Sequence, residues 1–181
     1  MRAAGTDPGA AAAVAVAAWD EHLRRPVAVA AWGITGSDAD RWTARARDVV
    51  AAAAALSPDL VWVEIPGDAP AWAARAHGRR RAGERDVRAL SMRAGALAGL
   101  WRVLAPSATI VEVQQRRWAA IWGACILAGK QADGRHRVRE AEGLMPGAAP
   151  ILAALPRGVQ VDAAEALLMA GAALLDTRRG R

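Results

Sequence analysis

The sequence predicts an α/β protein built on one mixed five-stranded sheet flanked by helices. Three observations predict it. The first 34 residues hold three short β-rich stretches separated by turn residues, the pattern of a meander. From residue 40 onward, stretches with helical periodicity alternate with short apolar runs, the pattern of strands joined by crossovers. No composition shift divides the 181 residues, so the chain reads as a single domain over 1–181, long enough for a real core.

The elements follow in order. MRAAGTD is a short strand ending at Asp7, and Pro8-Gly9 makes a turn. AAAVAVAAW (11–19) is a second strand, DEHLRR a polar connection, and PVAVAAWGI (26–34) a third strand. The stretch VAVAAW occurs in both, which predicts two paired strands in similar environments. DRWTARARDVVAAAAAL (40–56) is an amphipathic helix with Trp42, Ala46, Val49 and Val50 on one side, capped by Asp38 or Asp40. SPD ends it, and LVWVEI (60–65) is a strand of the buried kind that carries one charge, Glu64. Residues 66–86 are rich in Pro, Gly and Arg and read as a basic loop. A helix over 87–105, a strand over 108–113 and a helix over 114–127 follow. Residues 129–144 form a basic loop leading into a short helix, 145–158 a Pro-punctuated connection, and 161–179 a last helix with an apolar face. The order is β-β-β-α-β-α-β-α-α.

Composition bounds the function. At 54% hydrophobic the chain is globular, and with no Phe or Tyr its 8 Trp must supply the aromatic bulk. A net charge of +6 and a pI near 11.2 suit a polyanionic partner, although GC-rich codon bias produces the same excess of Ala and Arg. The one lysine is Lys130. A single cysteine, Cys125, excludes an internal disulfide and a multi-cysteine metal site, and its apolar surroundings predict burial. No uncharged apolar run reaches the roughly 18 residues of a membrane span. Asp7 and Pro8 interrupt the opening Ala/Val run, and Trp19-Asp20-Glu21 closes it, so it does not read as a secretion signal. The expectation is a cytosolic (cytoplasmic) protein without a membrane partner.

Four acids stand out: Asp7 at the end of the first strand, Glu64 in the fourth, and Asp162 and Glu165 three apart at the start of the last helix. Plain readings exist for three of them. Asp-Pro-Gly is a common turn, and D-x-x-E at a helix start fits a capping box. Glu64 has none, because a carboxylate in a buried strand is costly unless paired or bound to metal. If the meander extends 3-2-1 and the fourth strand joins beside the first, Asp7 and Glu64 face each other and the last helix completes the cluster. Such an oxygen-rich site suits Mg²⁺ or Mn²⁺. Two such ions about 4 Å apart clamp a phosphodiester.

The stretches GTDPG (5–9), VWVE (61–64) and DAAEAL (162–167) resemble the three acidic motifs of RuvC-type Holliday junction resolvases of the ribonuclease H-like superfamily. That family has G-I-D-P-G on its first strand, a Glu at the end of the fourth and D-A-x-D-A-L on its last helix. The V-x-V-x-x-x-x-W pattern at 111–118 resembles phage-type members. The resemblance implies a ribonuclease H-like fold (β-β-β-α-β-α-β-α) and a Mg²⁺-dependent endonuclease, with Mn²⁺ as the alternative ion. It would hydrolyse branched DNA, with no small-molecule substrate. Asp7, Glu64, Asp162 and Glu165 would be its catalytic metal ligands. Lys130 lies in the basic stretch ahead of the last motif, and Arg116, Arg117, Arg135 and Arg137 are candidate phosphate contacts. In the loop after Glu64 the resemblance gives Trp72 and Arg79, Arg80 and Arg81 as junction contacts; covering the core is the other reading of Trp72. Two symmetric nicks imply a homodimer, and Ala94, Gly95, Ala98 and Gly99 beside Leu97, Leu100 and Trp101 offer a face for it. The chain departs from the pattern at Glu165, where the family has Asp, in the plain alanines after Asp-Pro-Gly, and in its longer basic loop. Two other readings keep the same residues: a nuclease acting on RNA or on DNA of any form, and a catalytically idle DNA-binding homologue.

Overall fold

In a computed structural model of the chain, residues 1–9, 11–36, 38–66, 84–123 and 134–180 are described. The strands are β1 (Arg2–Asp7), β2 (Ala13–Asp20), β3 (Arg25–Gly33), β4 (Leu60–Glu64) and β5 (Thr109–Val113). Among the described residues the helices are α1 (Ala39–Ala54), α2 (Glu84–Leu104), α3 (Gln115–Trp122), α4 (Gly134–Leu144), α5 (Ala148–Ala153) and α6 (Arg157–Arg179). The sheet order is β3-β2-β1-β4-β5. The meander pairs antiparallel, and β4 and β5 add in parallel beside β1. This is the mixed five-stranded α/β sheet that the sequence predicts.

The two VAVAAW stretches do pair, with Val14 opposite Trp32, but their environments differ. Strand β2 is inside the sheet and buried over its first five residues; β3 is the edge strand and mostly half-buried. Sequence identity could not reveal this, because position in the sheet order sets how much of a strand is covered.

Helices cover both faces. On one, Ala3, Ala13, Ala15 and Ala17 meet α6, with Trp62 and Trp118 filling the space beside them. On the other, Ala4, Val14 and Val16 meet α1 and α2 through Val50, Leu97 and Trp101. Small strand residues let the central helix come very close. A Cβ at Gly5 would run into the carbonyl oxygen of Ala166, so glycine is what seats α6 directly on β1. By length and composition α6 is apolar enough to cross a membrane, although Asp162 and Glu165 interrupt its apolar run. It lies instead in the core, buried from Ala163 to Leu174 except at the half-buried Glu165.

Local signals explain the element ends. Asp38, not Asp40, caps α1, its Oδ1 accepting from the Arg41 amide at 2.9 Å. Helix α3 ends at Trp122 with Gly123 as its cap, at a positive φ of 60° that favours glycine; residues 124–127 of the predicted helix lie outside the described residues. Helix α5 lies in the predicted connection; Pro150 sits in its first turn, where a missing N–H costs little. The proposed dimer face needs correction. Ala94, Leu97, Ala98 and Trp101 are buried in the protein's own core, because the apolar side of α2 packs on the sheet. Leu100 of that set is half-buried, and Gly95 and Gly99 have open space beside them.

Candidate functional site

Strand register builds the first half of the site. Strands β1 and β4 are parallel neighbours with Thr6 opposite Val63, so Asp7 and Glu64 end adjacent strands at one edge. Alternation sends consecutive side chains to opposite faces. Thr6 turns toward α2 and accepts from Trp101 Nε1 at 3.0 Å, while Asp7 turns toward α6. The seat at Gly5 brings α6 across the end of β1. All four predicted acids, Asp7, Glu64, Asp162 and Glu165, line one cavity of about 200 Å³ together with Pro8 and Leu90.

The plain readings resolve differently for each pair. Asp7 does make the turn, accepting from the Gly9 amide at 2.8 Å, yet its carboxyl lines the cavity and is only 5% exposed. The capping box does not form: α6 begins at Arg157, which puts Asp162 a full turn inside the helix. Pro156 takes the cap position, and Asp162 accepts instead from the Ala11 amide at 2.9 Å.

Burial raises the pKa of every member. Asp7 is pushed well above the ordinary carboxylate range by burial and then by the charges of Glu64, Glu165 and Asp162, against the Gly9 amide. Burial pushes Glu64 from an ordinary 4.5 to about 7, although Trp118 Nε1 donates to its Oε2 at 2.9 Å. Asp162 is raised by burial, opposed by the Ala11 amide. Glu165 is raised by burial, opposed by the charge and hydrogen bond of Arg137 and by a hydrogen bond from Asp7.

Arg137 corrects the sequence reading. Expected at a phosphate, it is 3% exposed and faces inward. Its Nε donates to Glu165 at 3.0 Å, its Nη1 to Glu140 at 2.9 Å, and its guanidinium stacks over Trp118 at 5.4 Å. It therefore braces one acid directly and touches the indole that holds another. The available signal was Glu140 three residues on, a helical ion-pair spacing. Arg117 is exposed but tied to Asp176 at 3.4 Å and laid over Trp62 at 5.3 Å. Arg116 and Arg135 are exposed. Lys130, Trp72, Arg79, Arg80, Arg81 and Cys125 lie outside the described residues. Two site residues were missed. Trp118 was read only as part of a pattern, and Arg93, whose Nη1 donates to the Gly9 carbonyl at 3.1 Å, carries no local signal.

The donor set fits a hard divalent cation: four carboxyls in one small cavity, with Arg137 the one basic side chain hydrogen-bonded to them among the described residues. No three of them already converge as a closed metal cage among the described residues. Each acid also has a protein donor: the Gly9 amide on Asp7, the Ala11 amide on Asp162, Trp118 on Glu64 and Arg137 on Glu165.

No protein-family model matches the chain, and no curated protein matches it significantly. Solved structures do. Thermus thermophilus RuvC in complex with a Holliday junction substrate has a TM-score of 0.67 at 14% identity, over 99% of this chain and 96% of that one. The fowlpox virus resolvase in complex with its substrate Holliday junction DNA has a TM-score of 0.50 at 13% identity, over 98% of this chain and 99% of that one. The chain has the RuvC-type resolvase fold.

Proposed function

We propose that this chain is a metal-dependent endodeoxyribonuclease that cleaves branched DNA, Holliday junctions in particular, by phosphodiester hydrolysis. One observation carries the reading: four carboxyls gather in a single cavity at the edge of the two central strands, in a fold shared with RuvC bound to its junction. Asp7, Glu64, Asp162 and Glu165 would hold Mg²⁺ or Mn²⁺. Bound there, such ions supply charge that activates water and stabilises the leaving oxygen. The chain's own contribution is position. Gly9 and Ala11 fix the rotamers of Asp7 and Asp162 through their amides. Trp118 and Arg137 fix Glu64 and Glu165. Leu90 and Pro8 add apolar lining beside the acids. We also propose that the active species is a homodimer, since paired nicks need two sites related by a two-fold axis.

The test is cleavage of a labelled four-way junction with Mg²⁺ or Mn²⁺, beside linear duplex and an RNA hairpin. Paired nicks on the junction are expected. Asp7→Asn should lower the rate about a thousandfold while binding persists. Equal cleavage of every substrate would move the reading to an unselective nuclease, and binding without cleavage under either metal would make the chain an idle DNA-binding homologue.

A further inference from the structure

Between α4 and the first turns of α6 lies a cleft of about 560 Å³. Among the described residues its charged lining is three arginines, Arg135 and Arg139 from α4 and Arg157 from α6, and no carboxylate lines it. All three are exposed. Among the described residues none of them makes a hydrogen bond or an ion pair, unlike Arg117 and Arg137, which do. The first turn of α6 adds no acidic residue either. Three like charges around one cleft repel, and an anion relieves that repulsion.

The cleft is coupled to the acid cavity by both of its helices. On α4, Arg135 and Arg139 face the cleft while Arg137 between them turns inward to Glu165. On α6, Val161 lines the cleft and the next residue, Asp162, lines the cavity. Arg157 lies five residues before Asp162, roughly 7.5 Å along the axis at 1.5 Å per residue. Successive phosphates of one strand lie a comparable distance apart, so a strand with one phosphate at the acids brings the next to the cleft.

We propose that this cleft seats backbone phosphates of the nucleic-acid strand whose neighbouring phosphate lies at the four acids. The inference rests on the nuclease reading for the second half of that statement. The cleft takes sugar-phosphate charge and not base edges, so it contributes affinity and register without sequence preference. It replaces Arg137 as the partner of Arg135, and it adds Arg139 and Arg157, which the sequence did not single out.

The test uses the full chain carrying Asp7→Asn, so that junctions bind without being cut. Dissociation constants for a labelled four-way junction are measured from about 50 to 200 mM salt. Two further versions are compared: Arg135→Gln with Arg139→Gln and Arg157→Gln, and a control on the far face, Arg45→Gln with Arg47→Gln. Glutamine keeps helix propensity at exposed positions, so both versions should fold. The cleft version should flatten the plot of log affinity against log salt by about 0.9 for each phosphate that the cleft no longer neutralises. The control should leave the slope in place. An unchanged slope in the cleft version, or an equal loss per charge in the control, overturns the inference. The nuclease reading fails separately: if the chain with Asp7 intact shows the same cleft-dependent binding yet cuts nothing with Mg²⁺ or Mn²⁺, the cleft stands and the catalysis does not.

Discussion

The two halves of the carboxylate cluster are held by different means. Asp7 and Glu64 take their positions from main-chain register, as the ends of paired parallel strands. Asp162 and Glu165 ride on a helix whose placement depends on one close approach at a glycine and whose side chains are held from far away, by an amide 151 residues distant and an arginine 28 residues distant. A sheet fixes its residues through hydrogen bonds that every sequence can make, whereas a helix laid on a sheet is fixed by particular side chains. The strand half should therefore respond to changes of charge, and the helix half to changes of packing and bracing.

The largest expected effect is on the strand half and needs no substitution. Asp7 and Glu64 carry carboxyls raised by burial, Glu64 from 4.5 to about 7. A raised carboxyl binds more protons folded than unfolded over that interval, so the slope of unfolding free energy against pH is negative. The stability present below 4.5 is lost as pH rises toward about 7. The melting temperature of the metal-free protein should fall from about pH 5 to about pH 8. Mg²⁺ should restore it, and Glu64→Gln should flatten the profile. A metal-free profile that rises with pH would contradict the burial of these acids.

Gly5→Ala tests the joint between the halves. The added Cβ meets the Ala166 carbonyl, which is backbone and cannot step aside, so α6 must lift from β1. Overpacking of this kind costs about 1–3 kcal/mol, read as a lower denaturation midpoint at unchanged slope. Because Asp162 and Glu165 move with α6 while Asp7 stays, cleavage should fall by more than the folded fraction does.

The same division explains what was legible in the sequence. The strand acids could be read and placed, because period-two alternation and strand order follow from apolar pattern. Glu64 was conspicuous for lacking any local reason to be there. The helix acids could be read only as a motif. Their local pattern, D-x-x-E, pointed to a cap that does not exist, since the helix starts earlier at Arg157. Arginines were the least legible. Arg137 and Arg135 look alike in a basic stretch, yet one is buried against Glu140, Glu165 and Trp118 and the other is exposed. Only the phase of α4 against α6 separates them, and that phase is a tertiary fact.

The smallest expected effects come from the braces. They also sharpen the comparison most, because each brace serves a different half. Arg137→Ala removes the Nε donor from Glu165 and the Nη1 donor from the half-buried Glu140. Glu165 has one more rotatable bond than Asp, and its other hydrogen-bond donors are Gln115 at 3.4 Å and Asp7 itself. Losing such an outer-shell partner typically lowers metal affinity about 10–100-fold. Trp118→Phe removes the donor to Glu64 but keeps an aromatic surface in the core and beneath Arg137. Glu64 is still positioned by β4, so the loss should sit at the lower end of that range. Calorimetric titration of Mn²⁺ into each variant decides the matter. If Trp118→Phe weakens binding more than Arg137→Ala, strand register does not hold Glu64 by itself, and the two halves depend on side-chain bracing alike.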